Sequence, residues 1–189
     1  MFSVTAGKQG SGKTFGAISF CIEQKLKNNC RIITNVMSFR LFEDTIYMES
    51  LDQIIDFVEH NYKIDKEFNY IIFYDEIFTL LSKNDKFNKK YLSFLSQLRK
   101  RGIVFNTTAQ EWLEINVTLR RYVRYQIDCK MIPLFNMAIC IRYIYDGDTM
   151  HWDNDVNDYV ADIINTKIEK ARLSVAKSYD TFETVSTKK

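Results

Sequence analysis

Apolar positions along this chain fall into short continuous runs separated by stretches with a longer, helical period. "FSVTA" at the start is a brief β-like run, and "TFGAISFCIEQKLKN" then carries apolar residues at roughly helical spacing. "CRIITN" is a second short apolar run and "TIYM" an edge element. In "SLDQIIDFVEHNY" the helical period follows Ser50, with Gln53 three residues on, the signature of a capping box. "YIIFYDE" reads as a buried strand ending in acids, "KKYLSFLSQLRKRG" as a helix stopped at Gly102, and "IVFNTT" as a further strand. Strands and helices alternating at crossover lengths predict an α/β fold, a mostly parallel sheet flanked by helices on both faces. The "IVFNTT" run poses a local question. A buried strand that turns polar at Asn106, Thr107 and Thr108 and stops at Gln110 needs partners for those side chains.

The pattern changes after Gln110. "RYVRYQID" and "AICIRYIY", separated by "CKMIPLFNM", predict an antiparallel pair appended at the sheet edge. "VNDYVADIINTKIEKARLSVAKSY" predicts a C-terminal helix, and "DTFETVSTKK" a polar tail. The aspartates of "DGDTMHWDNDVND" lack the order of a calcium loop and are expected in loop and helix N-terminus roles. The expected organisation is one domain over residues 1–179 and a flexible tail over 180–189.

Composition narrows the function. The chain has 189 residues, 46% of them apolar, enough for one substantial core, and a formal charge of +2 that by itself points to no polyelectrolyte partner. Its four cysteines show no CxxC spacing, so buried thiols are expected rather than zinc or disulfides. No secretory signal is read at the start, and no run approaches the ~18 apolar residues of a membrane span.

Half of the six glycines, Gly7, Gly10 and Gly12, cluster in "GKQGSGKT". This segment, Gly7, Lys8, Gln9, Gly10, Ser11, Gly12, Lys13 and Thr14, fits the phosphate-loop pattern GxxxxGK[ST] between a predicted strand and a predicted helix. Its backbone N–H groups would face phosphates, Lys13 would neutralise the β and γ phosphates, and Thr14 would hold Mg²⁺. Asp75, at the end of "IIFYDE", is placed to hold the same Mg²⁺ through water. Glu76 would activate the attacking water, or alternatively open a helix favourably. If "IVFNTT" lies beside the phosphate-loop strand, its end opens into the same crevice, and Gln110 reaches the γ-phosphate or the lytic water without adding charge. Capping of the following turn is the other role open to Gln110.

In their order, "GKQGSGKT", "RIITN", "IIFYDE", "LRKRGIVFNTTAQ" and "LRRYVRYQID" resemble the additional-strand P-loop ATPases of the FtsK and HerA clan. Within it the chain is most similar to Zot-type proteins of bacteriophages and to viral genome-packaging ATPases. The resemblance covers roughly residues 1 to 130. It implies an ATP-hydrolysing translocase of double-stranded DNA working in a homo-oligomeric ring with Mg²⁺ as cofactor. Gln110 would then be the sensor and Arg99 a finger acting on the adjacent subunit's nucleotide. Arg101, Arg120 and Arg121 compete for the finger role. A soluble packaging-type motor in the host cytoplasm, docked on a capsid portal or membrane vertex protein, is the expected reading. The alternatives are a Zot-type phage assembly or extrusion ATPase and a P-loop nucleotide kinase. A GTPase is disfavoured because no NKxD motif occurs. Basic residues outnumber acids from Lys83 to Lys130, which would suit a channel holding phosphate backbones or, equally, a solvated helix face.

Overall fold

The computed structural model describes residues 1–39, 41–63, 67–77, 88–134 and 137–171. In chain order the elements are β1 (Phe2–Ala6), α1 (Lys13–Asn28), β2 (Arg31–Thr34), β3 (Ile46–Tyr47), α2 (Leu51–Asn61), β4 (Tyr70–Tyr74), α3 (Lys89–Gln97) and β5 (Ile103–Ala109). They continue with α4 (Val117–Arg120), β6 (Tyr125–Leu134), β7 (Met137–Asp146), β8 (His151–Asp153), β9 (Asp158–Val160) and β10 (Ile163–Lys170). One sheet takes the order β10-β7-β6-β1-β5-β4-β2-β3, while β8 and β9 form a separate hairpin. β1 lies in its middle, parallel to β5 with Phe2 opposite Phe105 and to β6 with Ser3 opposite Tyr125. Every residue of β1, β4 and β5 is buried, as a parallel strand covered on both faces requires.

Side-chain alternation sorts those strands into two cores. Phe2, Ile72 and Phe105 pack beneath Ile54, Ile55 and Val58 of α2 and Phe94 and Leu95 of α3. Ile71, Phe73, Val104 and Ile127 pack beneath Phe15, Ile18 and Cys21 of α1. α2 begins as read from the sequence. The Ser50 hydroxyl accepts from the Gln53 N–H at 3.2 Å, and the Gln53 side chain accepts from the Ser50 N–H. The polar end of β5 finds its partners inside. The Asn106 side-chain oxygen accepts from the hydroxyls of Ser3 (3.2 Å) and Thr5 (3.3 Å), its amide donates to the Ala17 carbonyl of α1, and Thr107 donates to the Tyr74 carbonyl at 2.5 Å. A buried polar group so satisfied costs little and fixes strand register and helix position together.

The antiparallel pair is present as β6 and β7, but the ladder runs through most of "CKMIPLFNM", from Tyr125 opposite Asp146 to Leu134 opposite Met137. The expected C-terminal helix is overturned over its described part. Residues 158–160 and 163–170 are strands, and β10 pairs antiparallel with β7. "IINTKIEK" is rich in β-branched residues, and an open edge at β7 supplies the pairing that helical spacing cannot. Residues 172–179 of the expected helix, and the expected tail over 180–189, lie outside the described residues. The aspartates expected in loop and helix N-terminus roles take both, Asp146 as the N-cap of a short 3-10 helix (Gly147–Thr149) and Asp153 in a turn. Asp146 accepts from the Asp148 N–H at 3.0 Å and Asp153 from the Asp155 N–H at 2.8 Å. Among the described residues no helix is long and apolar enough to cross a membrane.

α1 is clamped to the antiparallel strands by ions. Arg142 of β7, 1% exposed, pairs with Glu23 of α1 and, at 3.2 Å, with Glu169 of β10, while Lys167 of β10 also meets Glu23. Burial opposes the charge of Glu23, but hydrogen bonds and charge from Lys167 and Arg142 together hold its carboxyl below the usual range. All four cysteines are buried thiols.

Candidate functional site

The phosphate loop joins β1 to α1 through left-handed turns that glycine adopts at little cost, with φ of 80° at Gly10 and 85° at Gly12. The Ser11 N–H donates to the Lys8 carbonyl at 3.1 Å, and the Gly7 N–H to the Ala109 carbonyl of β5 at 3.3 Å. α1 opens with no acidic residue in its first turn and no side-chain cap. The positive end of its dipole is therefore left for an outside anion. The Ser11 hydroxyl is buried without a partner among the described residues, a second sign that the loop is shaped around something it does not itself supply.

Asp75 leaves the end of β4, two strands across from the loop. Its carboxylate accepts from the Thr108 hydroxyl of β5. Asn35, just past β2, holds its backbone by accepting from the Asp75 N–H at 2.8 Å and donating to the Asp75 carbonyl at 3.2 Å. Burial pushes the carboxyl up to about 6, helped by Glu76 and opposed by Thr108 and Lys13. Glu76 takes φ 56°, left-handed and costing about 1 kcal/mol for a residue with a Cβ, and its N–H donates to the Thr108 hydroxyl at 2.9 Å. The backbone thus turns sharply between the two acids. Whether Glu76 also opens a helix concerns residues beyond Ile77, outside the described residues.

Gln110 follows directly on β5, exposed. Because Ala6 pairs with Ala109, it emerges beside Gly7. The sheet therefore brings the loop, Lys13, Thr14, Asp75, Glu76 and Gln110 to one end. Arg99 is at the other. It lines a depression of about 590 Å³ with Met1, Phe68, Ile103, Tyr122 and Arg124, where β5 begins. Seven residues of β5 put that end roughly 20 Å from the loop. Among its competitors, Arg101 is tied to Gln97 (2.7 Å) and Glu59 (3.3 Å) and lies over the Tyr62 ring, Arg120 lies over the Tyr159 ring, and Arg121 is exposed. In the basic stretch, Lys90 pairs with Asp52 and Asp56, and Arg124 with Asp146 and Asp148. Arg99, Lys100, Arg121 and Lys130 stay exposed, and Lys83 and Lys86 lie outside the described residues.

Sequence reasoning missed Asn35 and Thr108. Each is the polar residue that closes an apolar run, "RIITN" and "IVFNTT", and that abrupt ending was the available signal.

The family model described as zonular occludens toxin (Zot) matches residues 1–183. No curated protein matches the chain in sequence. Among solved structures, the N-terminal domain of zonular occludens toxin from Neisseria meningitidis is similar over 95% of this chain and 98% of that one, at TM-score 0.60 and 16% identity. The genome packaging NTPase B204 of Sulfolobus turreted icosahedral virus 2, in complex with ATP-γS, is similar over 85% of this chain and 95% of that one, at TM-score 0.55 and 12% identity. B204 of Sulfolobus turreted icosahedral virus, described as a DNA-packaging ATPase, covers 87% and 98% at TM-score 0.57 and 12% identity. At such identities the structures establish a shared P-loop NTPase fold. With the family model matching nearly its whole length, the chain belongs to the zonular occludens toxin (Zot) family.

Proposed function

We propose that this protein is an ATPase of a phage or virus whose hydrolysis drives double-stranded DNA translocation in genome packaging, acting as a homo-oligomeric ring. The observation that carries this reading is the convergence of the loop, Asp75, Glu76 and Gln110 at one end of the sheet, with Arg99 roughly 20 Å away at the other. The loop and the uncapped start of α1 bind the phosphates, Ser11 donates its unpartnered hydroxyl, and Lys13 offsets their charge. Thr14 and Asp75 offer the hard oxygen donors that suit Mg²⁺, which when bound neutralises charge on the β and γ phosphates. Glu76 accepts the proton of the attacking water and Gln110 orients it. Arg99 is too far from its own chain's site to serve it, so its finger role requires a neighbouring subunit. B204's description as a DNA-packaging ATPase supports the choice of DNA.

The test is ATP hydrolysis with and without duplex DNA in wild type, Glu76→Gln and Arg99→Ala. DNA stimulation lost in both variants supports the motor. Turnover per subunit that is indifferent to DNA, to Arg99 and to dilution overturns it. Membership of the Zot family favours a second reading, a phage assembly or extrusion ATPase, which would fractionate with host membranes rather than in the host cytoplasm. Phosphorylated product on a small acceptor, without DNA, would mark a nucleotide kinase instead.

A further inference from the structure

β6 outruns the strand it pairs with. Its ladder with β1 ends at Ala6 opposite Asp128, yet β6 continues to Leu134, paired with β7 throughout. Six more residues at about 3.3 Å each raise this arm, whose outer edge is β10 paired with β7 as far as Lys170 opposite Ile139, roughly 20 Å past the end of β1. It stands beside the phosphate loop on the flank of β1 opposite β5 and β4, which carry Gln110 and Asp75. Contact is close. A Cβ built on Gly12 would lie 2.7 Å from Met131 Cε and 3.4 Å from Met131 Cβ, so the Met131 side chain rests directly on the junction of loop and helix.

Strand alternation decides what the arm shows to α1. Met131 and Pro133, with Cys140 and Ala138 opposite them, share one face, while Lys130, Ile132 and Leu134 turn to the other. Met131 and Cys140 belong to the core on the α1 side. That face is apolar and soft, and above Met131 it offers no side-chain donor or acceptor among the described residues. A triphosphate with its terminal phosphorus between Lys13, Asp75 and Gln110 has its base at the other end of the phosphate chain. The β5 flank is taken by the reacting end, which leaves the β6 flank for the base.

We propose that the α1-facing side of the β6–β7 arm, with Met131 at its foot, is the nucleobase cradle of this site, an apolar wall on which bases stack with little discrimination among them. The proposal rests on reading the loop as a triphosphate site. A polarizable thioether against an aromatic ring supplies attraction without edge recognition. Strong rejection of a wrong base would need a side chain left unpaired by it, and above Met131 the described residues Pro133 and Ala138 supply none.

The experiment is calorimetric titration of the full chain, with Mg²⁺, by ATP, GTP, CTP and inorganic tripolyphosphate, for wild type, Met131→Thr, Met131→Leu and Ala138→Trp. The three nucleotides are expected to bind within about threefold of one another, and Met131→Thr to weaken all three roughly three- to tenfold while tripolyphosphate binding is unchanged. Met131→Leu restores them, and Ala138→Trp alters nucleotide affinity alone. The cradle is overturned if Met131→Thr weakens nucleotides and tripolyphosphate alike, if neither substitution alters nucleotide affinity, or if ATP is preferred over GTP by more than about thirtyfold. Loss of tripolyphosphate binding in the wild type overturns the triphosphate site itself, and the cradle with it.

Discussion

Asp75 sits where its own charge is resisted. Burial raises its carboxyl from 3.8 to about 6, so between those values the folded chain keeps a proton that the unfolded chain has released. Stability attributable to this group therefore falls as pH rises from about 4 to about 6 and then levels, by at most about 3 kcal/mol. Asp75→Asn should remove that slope and raise the melting temperature of the nucleotide-free chain at pH 7, measured by calorimetric scans across pH. The same substitution should cut Mg²⁺-dependent hydrolysis more than about a hundredfold. An opposite result for stability would mean that the carboxylate is better solvated than its surroundings indicate. Thr108→Val should release both hydrogen bonds that fix the Asp75–Glu76 turn, at about 1–3 kcal/mol of stability by denaturant titration. At this scale the sequence was informative where chemistry depends on a local motif. The loop and Asp75 were legible because spacing alone places them. Asn35 and Thr108 showed only as polar endings of apolar runs, since which residue they hold depends on strands β2 and β5 flanking β4, a topological fact the local pattern does not carry.

α1 couples the loop to the edge strands. Gly16, one turn past Gly12, lies so close to β6 that an added Cβ would fall 2.3 Å from Cys129 Sγ. Gly16→Ala should therefore lose about 1–3 kcal/mol despite better helix propensity, and Cys129→Ala should recover part of the loss in a double-mutant cycle read by denaturant titration. Farther along, Glu23 is held in its charged form by Arg142 and Lys167. Because the folded carboxyl lies below its ordinary value of 4.5, its contribution is complete above that value and is lost as pH falls through the lower folded one. Arg142→Ala leaves Glu23 and Glu169 facing each other with Lys167 alone and should cost about 3 kcal/mol or more by thermal or denaturant unfolding. This clamp explains the error over the last element. Lys167 and Glu169 read as helix surface in isolation, but as strand residues they reach Glu23 of α1, more than a hundred residues earlier, and Arg142 of the neighbouring strand β7.

The proposed function gives the whole molecule two ends to use. The phosphate crevice opens at the carboxyl ends of the parallel strands, and Arg99 lines the depression where β5 begins. In a ring, one end of each subunit would face the other end of its neighbour. Mixing Lys13→Ala with Arg99→Ala subunits should therefore restore ATP hydrolysis well above either variant alone, and no recovery at any ratio would remove Arg99 from the shared site. The same topology bears on how the chain is made. β1 leaves the ribosome well ahead of its neighbours β5 and β6, which begin about a hundred residues later. At about 5–20 residues per second, this apolar segment waits some 5 to 20 seconds before either flanking strand exists, the interval in which a nascent chain is most open to chaperones and to aggregation.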